Sequence, residues 1–234
     1  MPSLEVCLTP ELIHLYPADG KIVVVTDILR ATSCMVTALS EGIESITPVS
    51  TTTECRELQK LGYLAAAERN GEQVEGFDLG NSPLSYLENN FTGRKLAMTT
   101  TNGTLAINKS KNASELLIGA FLNLSVLSDY LKACHHDLLI VCAGWKGMVS
   151  YEDTLFAGAL ATKLGNSFEI GCDSAMLSIE QYANTNDDLL SAIKKSSHYK
   201  RLHNLKISKD IEFCIDVDRY ALIPRLDHNQ LVSL

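Results

Sequence analysis

Short apolar runs alternate with stretches of helical spacing along this chain, and the alternation predicts an α/β fold. Residues 22–25, Ile-Val-Val-Val, form an unbroken β-branched run, the pattern of a central strand buried on both faces. Ala31, Cys34, Met35, Ala38 and Leu39 then recur at helical spacing, and Gly42 closes that segment. A strand over 45–49, a helix over 53–61 and a strand over 63–67 are expected next, followed by a polar segment to Ser82. Ser82-Pro83 reads as a cap and first helical residue, which predicts a short helix over 83–88. Strands are expected at 95–99, 115–118 and 138–142, with helices from about Leu105 and over 124–133. Leu155, Phe156, Ala159, Leu160 and Leu164 mark a further helix. Helices should continue to about Leu205, and strands at 211–215 and 220–223 should close the fold.

Three times an apolar strand runs into a polar, glycine-containing or charged segment before a helix. In open α/β sheets ligands bind where such loops converge, at the carboxyl ends of strands. Composition limits what the ligand can be. The 234 residues are 46% hydrophobic and carry 28 Asp and Glu against 20 Lys and Arg, a formal charge of −8. That balance argues against nucleic-acid or anionic-membrane partners, which require a basic field. An anionic substrate remains compatible if local arginines, backbone N–H groups or a metal ion receive it. The length suits one α/β domain over residues 1–234, or two closely packed lobes. Seven cysteines without a CxxC pair suggest reduced thiols. The opening residues MPSLEVCLTPEL lack a basic region followed by an apolar stretch, and no run has the length of a membrane span, so a cytoplasmic location is expected.

Five segments carry candidate chemistry. Asp27 lies just beyond the first buried strand and Arg30 follows three residues later. A carboxylate there can hold magnesium and the guanidinium can fork onto a phosphoryl group, although an Asp that caps the next helix and pairs with Arg30 has the same spacing. Glu68, Arg69, Asn70 and Gly71, with Gly76 to Ser82, gather carboxylates, an arginine and glycines in a long irregular stretch, suited to a metal and anion site or to a solvated turn. Thr99-Thr100-Thr101-Asn102-Gly103-Thr104 places amides and hydroxyls between strand and helix, a natural oxyanion cradle as well as a capping sequence.

Cys142-Ala143-Gly144-Trp145-Lys146-Gly147 precedes Ser150-Tyr151-Glu152-Asp153. A cysteine phosphatase needs an arginine where Met148 stands, so Cys142 reads as a buried thiol and Trp145 as packing. Ser150 and Asp153 have capping-box spacing, and of the adjacent acids at most one should reach a metal directly. In Cys214-Ile215-Asp216-Val217-Asp218-Arg219, alternation would put both aspartates on one strand face, with Arg219 free for an anion or paired at the surface. His135-His136-Asp137 reads as surface.

Taken in order, VTDILRATS, AAERNGEQVEGFDLGNSPLSY, TTTNGT, VCAGWKG, EDTLFAGAL and EFCIDVDR resemble the 2-phosphosulfolactate phosphatase family over essentially the whole chain, with weaker similarity in LIGAFLNLS and HYKRLHNL. Phe156 stands where many relatives are expected to carry cysteine, and should serve packing. The resemblance implies a layered α/β/α fold with a largely parallel or mixed sheet. It also implies Mg²⁺-dependent hydrolysis of (R)-2-phospho-3-sulfolactate to 3-sulfolactate and phosphate, a step of coenzyme M synthesis. It implicates Asp27, Arg30, Glu68, Arg69, Asp78, Asn81, Asn102, Glu152, Asp153 and Arg219. On physical grounds Asp27 and Asp78, with Glu152 or Asp153, are expected to hold the metal. Arg30 and Arg69 should meet phosphoryl or sulfonate oxygens, the amides of Asn102, Gly103 and Thr104 the developing charge, and Arg219 the far acidic end. Other readings are a phosphatase of another small acidic phosphoester, a different phosphate-ester enzyme, or a non-catalytic binding protein for a small polyanion. A homodimer is the default assembly.

Overall fold

A computed structural model describes residues 1–69, 72–185, 188–204 and 207–234. Asn70 and Gly71 of the ERNG segment, and Leu205, lie outside the described residues. The chain begins with strand β1 (Ser3–Cys7), then β2 (Ile22–Thr26), helix α1 (Ala31–Ser40), β3 (Ser45–Pro48) and α2 (Thr52–Lys60). It continues through β4 (Leu64–Arg69), β5 (Glu72–Gln73), β6 (Lys95–Thr99), α3 (Gly103–Lys109) and β7 (Glu115–Gly119). Next come α4 (Leu124–Cys134), β8 (Leu138–Cys142), α5 (Tyr151–Leu164), β9 (Glu169–Ile170) and α6 (Asp173–Ala183). The last third holds α7 (Leu189–Ile193), α8 (Ser197–Asn204), α9 (Ser208–Cys214), β10 (Pro224–Asp227) and β11 (Gln230–Ser233). Among the described residues the strands form one mixed, mostly parallel sheet in the order β5-β4-β6-β3-β11-β10-β7-β2-β8-β1-β9, with helices flanking it.

The antiparallel β10–β11 hairpin separates two parallel groups, β4-β6-β3 and β7-β2-β8-β1-β9. It joins each group through a single residue pair, Leu231 with Ile46 and Arg225 with Leu117. Both joins are antiparallel, so the two groups run in opposite directions. In a flat sheet the loops after β2 and β6 would therefore lie at opposite edges. Yet a Cβ on Gly103, after β6, would stand 3.0 Å from Asp27 Oδ2, after β2. The sheet must turn sharply between the groups, and the short hairpin joins are where its ladder is weakest.

The expectations for the end of the chain are corrected here. The apolar run at 211–215 is helix α9 rather than a strand, because Ile207, Ile211, Cys214 and Ile215 recur at i, i+4, i+7 and i+8 and cover one face. Residues 220–223 join no strand or helix, and the closing strands are β10 and β11 instead. Asp216 and Asp218 consequently share no strand face. Asp218 accepts hydrogen bonds from the backbone N–H and the hydroxyl of Ser125 at the start of α4. The expected helix at 83–88 is a short 3-10 turn, Pro83–Tyr86. Among the described residues no helix is long and apolar enough to cross a membrane.

Helix α5 is buried along nearly its whole length. Phe156 packs edge-on against Phe121 with ring centroids 5.5 Å apart. On another face Gly158 lets α6 approach so closely that an added Cβ would fall 2.0 Å from Ser178 O. Gly158→Ala should therefore lower unfolding free energy by about 3 kcal/mol in urea titrations, the upper range for overpacking. An unchanged midpoint would contradict this helix contact.

Candidate active site

Strand β2 is buried throughout, and the polar residues that follow it emerge at its carboxyl end beside β8. Asp153, in the first turn of α5, reaches both strand ends. Its Oδ1 accepts from the Ile28 N–H at 2.8 Å and its Oδ2 from the Gly144 N–H at 3.1 Å. Only half of a capping box forms at α5. Ser150 Oγ accepts from the Asp153 N–H, while the Asp153 carboxylate is spent on the two loops. Burial, then the neighbouring Asp27 and Glu152 carboxylates, push Asp153 well above the ordinary carboxylate range.

Asp27 caps α1 through a long hydrogen bond from the Ala31 N–H, 3.4 Å to Oδ1. Burial raises its pKa from 3.8 to about 6, with Glu152 and Glu68 adding to the rise. Its Oδ2 faces Gly103, where a side chain would also strike Ala31 Cβ at 2.7 Å; glycine is needed for this close approach. Glu152 is 1% exposed. Its Oε1 pairs with His198 Nδ1, and its Oε2 is buried with no hydrogen-bond partner among the described residues. Burial is the largest influence on Glu152 and acts to raise its pKa, but the hydrogen bond and charge of His198, with the hydrogen bonds at the start of α5, together outweigh it and hold the carboxyl low.

Asp27, Leu29, Glu68, Asn81, Thr100 and Thr101 line a cavity of about 490 Å³, including its solvent-open mouth. Asn102 also lines it, and its Oδ1 accepts from the Lys146 N–H at 3.3 Å, linking the loops after β6 and β8. Trp145, Lys146, His198 and Arg201 line it too. Lys146 Nζ lies 4.9 Å and Arg201 Cζ 4.7 Å from the Trp145 ring centroid, and His198 stacks on the same indole. Arg201 donates to His198 Nε2 at 2.7 Å. A guanidinium has only donors, so Nε2 is the acceptor and the Nδ1 proton is the one given to Glu152.

The structure gathers Asp27, Glu68, Asn81 and Asn102 at the cavity, with Glu152 and Asp153 directly behind Asp27. Other sequence candidates stand apart. Arg30 is buried and paired with Asp210, which also accepts from Ser82 Oγ at 3.0 Å. Asp78 is exposed and ties its loop to β4, accepting from the Ala65 N–H at 2.8 Å and from Gln59 Nε2 at 3.0 Å. Arg69 is exposed and donates to Glu68 O at 2.7 Å. Arg219 pairs with Asp216 at 3.0 Å and lies over the Phe213 ring, outside the cavity lining. The Thr104 N–H is occupied by Thr100 Oγ1 at 3.1 Å, and its hydroxyl by Thr100 O. His198, Arg201 and Asp210 were missed by sequence reasoning, and Trp145 was read as packing alone. The available signal was the i, i+3 spacing of His198 and Arg201 within HYKRLHNL.

Magnesium prefers oxygen ligands and keeps several waters, taking one or two carboxylates plus substrate oxygens. Among the described residues no three His, Cys, Asp or Glu side chains form a closed metal-holding group. An open set does fit the ion. Asp27 and Glu68 supply carboxylates, and Asn81 Oδ1 is buried without a partner among the described residues.

Known proteins resemble this chain over most of its length. Residues 7–229 match the family model described as 2-phosphosulpholactate phosphatase. A protein of Thermotoga maritima named probable 2-phosphosulfolactate phosphatase is 43% identical over 211 residues, covering 90% of this chain and 91% of that protein. Proteins with the same name are 40% identical in Caldanaerobacter subterraneus, with 88% of each chain covered, and 34% identical in Clostridium acetobutylicum, with 98% of this chain and all of the relative covered.

The raised Asp27 pKa has a stability consequence. The folded state binds this proton more tightly than the unfolded chain, so the group favours folding below pH 3.8 and that contribution is lost as pH rises toward 6. In the presence of EDTA, Asp27→Asn should stabilise the protein at pH 7.5 by about 1–3 kcal/mol, with the gain vanishing near pH 4. Thermal melts of variant and wild type at both pH values check it; destabilisation at pH 7.5 would contradict the buried, ionised Asp27.

Proposed function

The chain belongs to the 2-phosphosulpholactate phosphatase family, and on that premise we propose that it hydrolyses 2-phosphosulfolactate to 3-sulfolactate and phosphate with the help of magnesium. The observation that carries the reading is a cavity lined by carboxylates and amide oxygens together with Lys146, His198 and Arg201, in a protein whose overall charge is negative. Such a cavity suits a phosphoester anion whose phosphoryl group is shared with a divalent cation and whose remaining charge meets basic side chains.

Asp27, Glu68 and Asn81 Oδ1 would hold the magnesium, which when bound supplies positive charge to the non-bridging phosphoryl oxygens. Asn102 orients the phosphoryl group from the loop after β6, where the first-turn N–H of Gly103 lacks an intrahelical acceptor. Water adds to phosphorus in line with the ester oxygen, the P–O ester bond breaks, and the departing alkoxide takes one proton to become the alcohol. The hydrogen-bonded chain Arg201–His198–Glu152 fixes the imidazole at the cavity wall, and the indole of Trp145 shields it from bulk water.

Phosphate release from racemic 2-phosphosulfolactate should occur with Mg²⁺, stop with EDTA and return when Mg²⁺ is added back. Asp27→Ala should lower kcat roughly 10²–10⁴-fold. Release that survives chelation would remove the metal from this reading, and full turnover by Asp27→Ala would remove Asp27 from the catalytic centre. A folded protein that releases no phosphate from this ester would overturn the reaction.

A further inference from the structure

Lys146 and Arg201 stand out as cations of the cavity lining that have no ion pair among the described residues. Arg30, by contrast, is already matched by Asp210. Arg201 is partly buried, and its Nε is enclosed with no hydrogen-bond partner among the described residues. A buried guanidinium donor without an acceptor costs stability unless a ligand supplies one. The group is also held in place. Its plane is packed on Trp145 and one terminal nitrogen is fixed to His198, so little freedom is left to lose on binding. Lys146 sits on the same indole, and its backbone N–H is tied to Asn102.

We infer that Trp145, Lys146 and Arg201 form the subsite for the second acidic group of the substrate, a carboxylate or sulfonate, and so set specificity for phosphoesters with an anionic tail. The inference rests on the proposed reaction at this cavity. The Asp27 and Glu68 carboxylates repel a second anion unless a cation intervenes, whereas the cluster on Trp145 offers two cations and an unmet donor. A phosphoester spanning the cavity is thereby oriented, with phosphorus toward Asp27 and the tail toward Arg201. This is the role the sequence suggested for Arg219, which the structure engages with Asp216 instead.

The two products separate the two ends of the cavity. Calorimetric titration of the Mg²⁺-loaded protein with 3-sulfolactate probes the tail, and titration with inorganic phosphate probes the phosphoryl end. Arg201→Ala and Lys146→Ala should each weaken 3-sulfolactate binding roughly tenfold or more while leaving phosphate binding unchanged. Equal weakening of both products, weakening of phosphate alone, or no binding of 3-sulfolactate by the wild type would overturn the inference. If Arg201→Ala does not fold, Arg201→Lys, which keeps the charge but loses the fork, and Lys146→Ala at an exposed position carry the same test. Arg201-dependent binding of 3-sulfolactate without phosphate release would defeat the reaction alone. Release with binding indifferent to Arg201 and Lys146 would defeat the subsite alone.

Discussion

The carboxylate of Asp153 is the contact on which the site depends. It is buried at the point where β2 and β8 end, and it holds the loop after each by one backbone N–H. Without an acceptor there, two buried amides would be left unsatisfied and the loops that carry Asp27 and Trp145 would lose their common anchor. The arrangement has an electrostatic cost, because Asp27 and Glu152 lie close by and all three groups are almost wholly enclosed. The strain is distributed rather than removed. Asp153 is pushed well up, Asp27 is raised to about 6, and Glu152 is kept low by His198. Two buried acids that resist ionisation, Asp27 and Asp153, are poor at stabilising a fold, and such raised carboxyls cluster at functional sites.

The second constraint is topological. Two parallel groups of opposite direction meet only through the β10–β11 hairpin, each by one residue pair. This allows the loop after β6 to reach the loop after β2, and Gly103 permits the approach. Residues of β4 and α8 and of the loops after β2, β6 and β8 thus line one cavity although they are drawn from nearly the full length of the chain. The close seating of α6 on Gly158 fixes α5, and with it Glu152 and Asp153, against the sheet.

Much of this was readable in the sequence where physics acts locally. The β-branched run of β2 announced a central strand, so Asp27 was placed at its carboxyl end, and the helical period from Leu155 placed Glu152 and Asp153 in a first turn. What escaped depends on distant partners. The apolar residues of α9 fit either a short strand or one face of a short helix, and only packing beneath the site decides. Arg30 looked free for an anion because its partner, Asp210, is 180 residues away. Arg219 looked equally free, yet Asp216 and Phe213 engage it locally. His198 and Arg201 lie in a polar stretch with no strand-to-loop signal, and gain meaning only when α8 is laid beside Glu152 and Trp145.

The central claim is that the phosphoester is held by the Asp27 and Arg201 ends of its binding set, oriented by both. A crystal structure of the protein with Mg²⁺, orthovanadate and 3-sulfolactate tests it most directly. The account predicts vanadate and metal density beside Asp27 and Asn81, with the acidic tail of 3-sulfolactate against Arg201. Density instead in the groove lined by Glu115, Tyr130 and Arg225, near the opposite ends of β2 and β7, would contradict it.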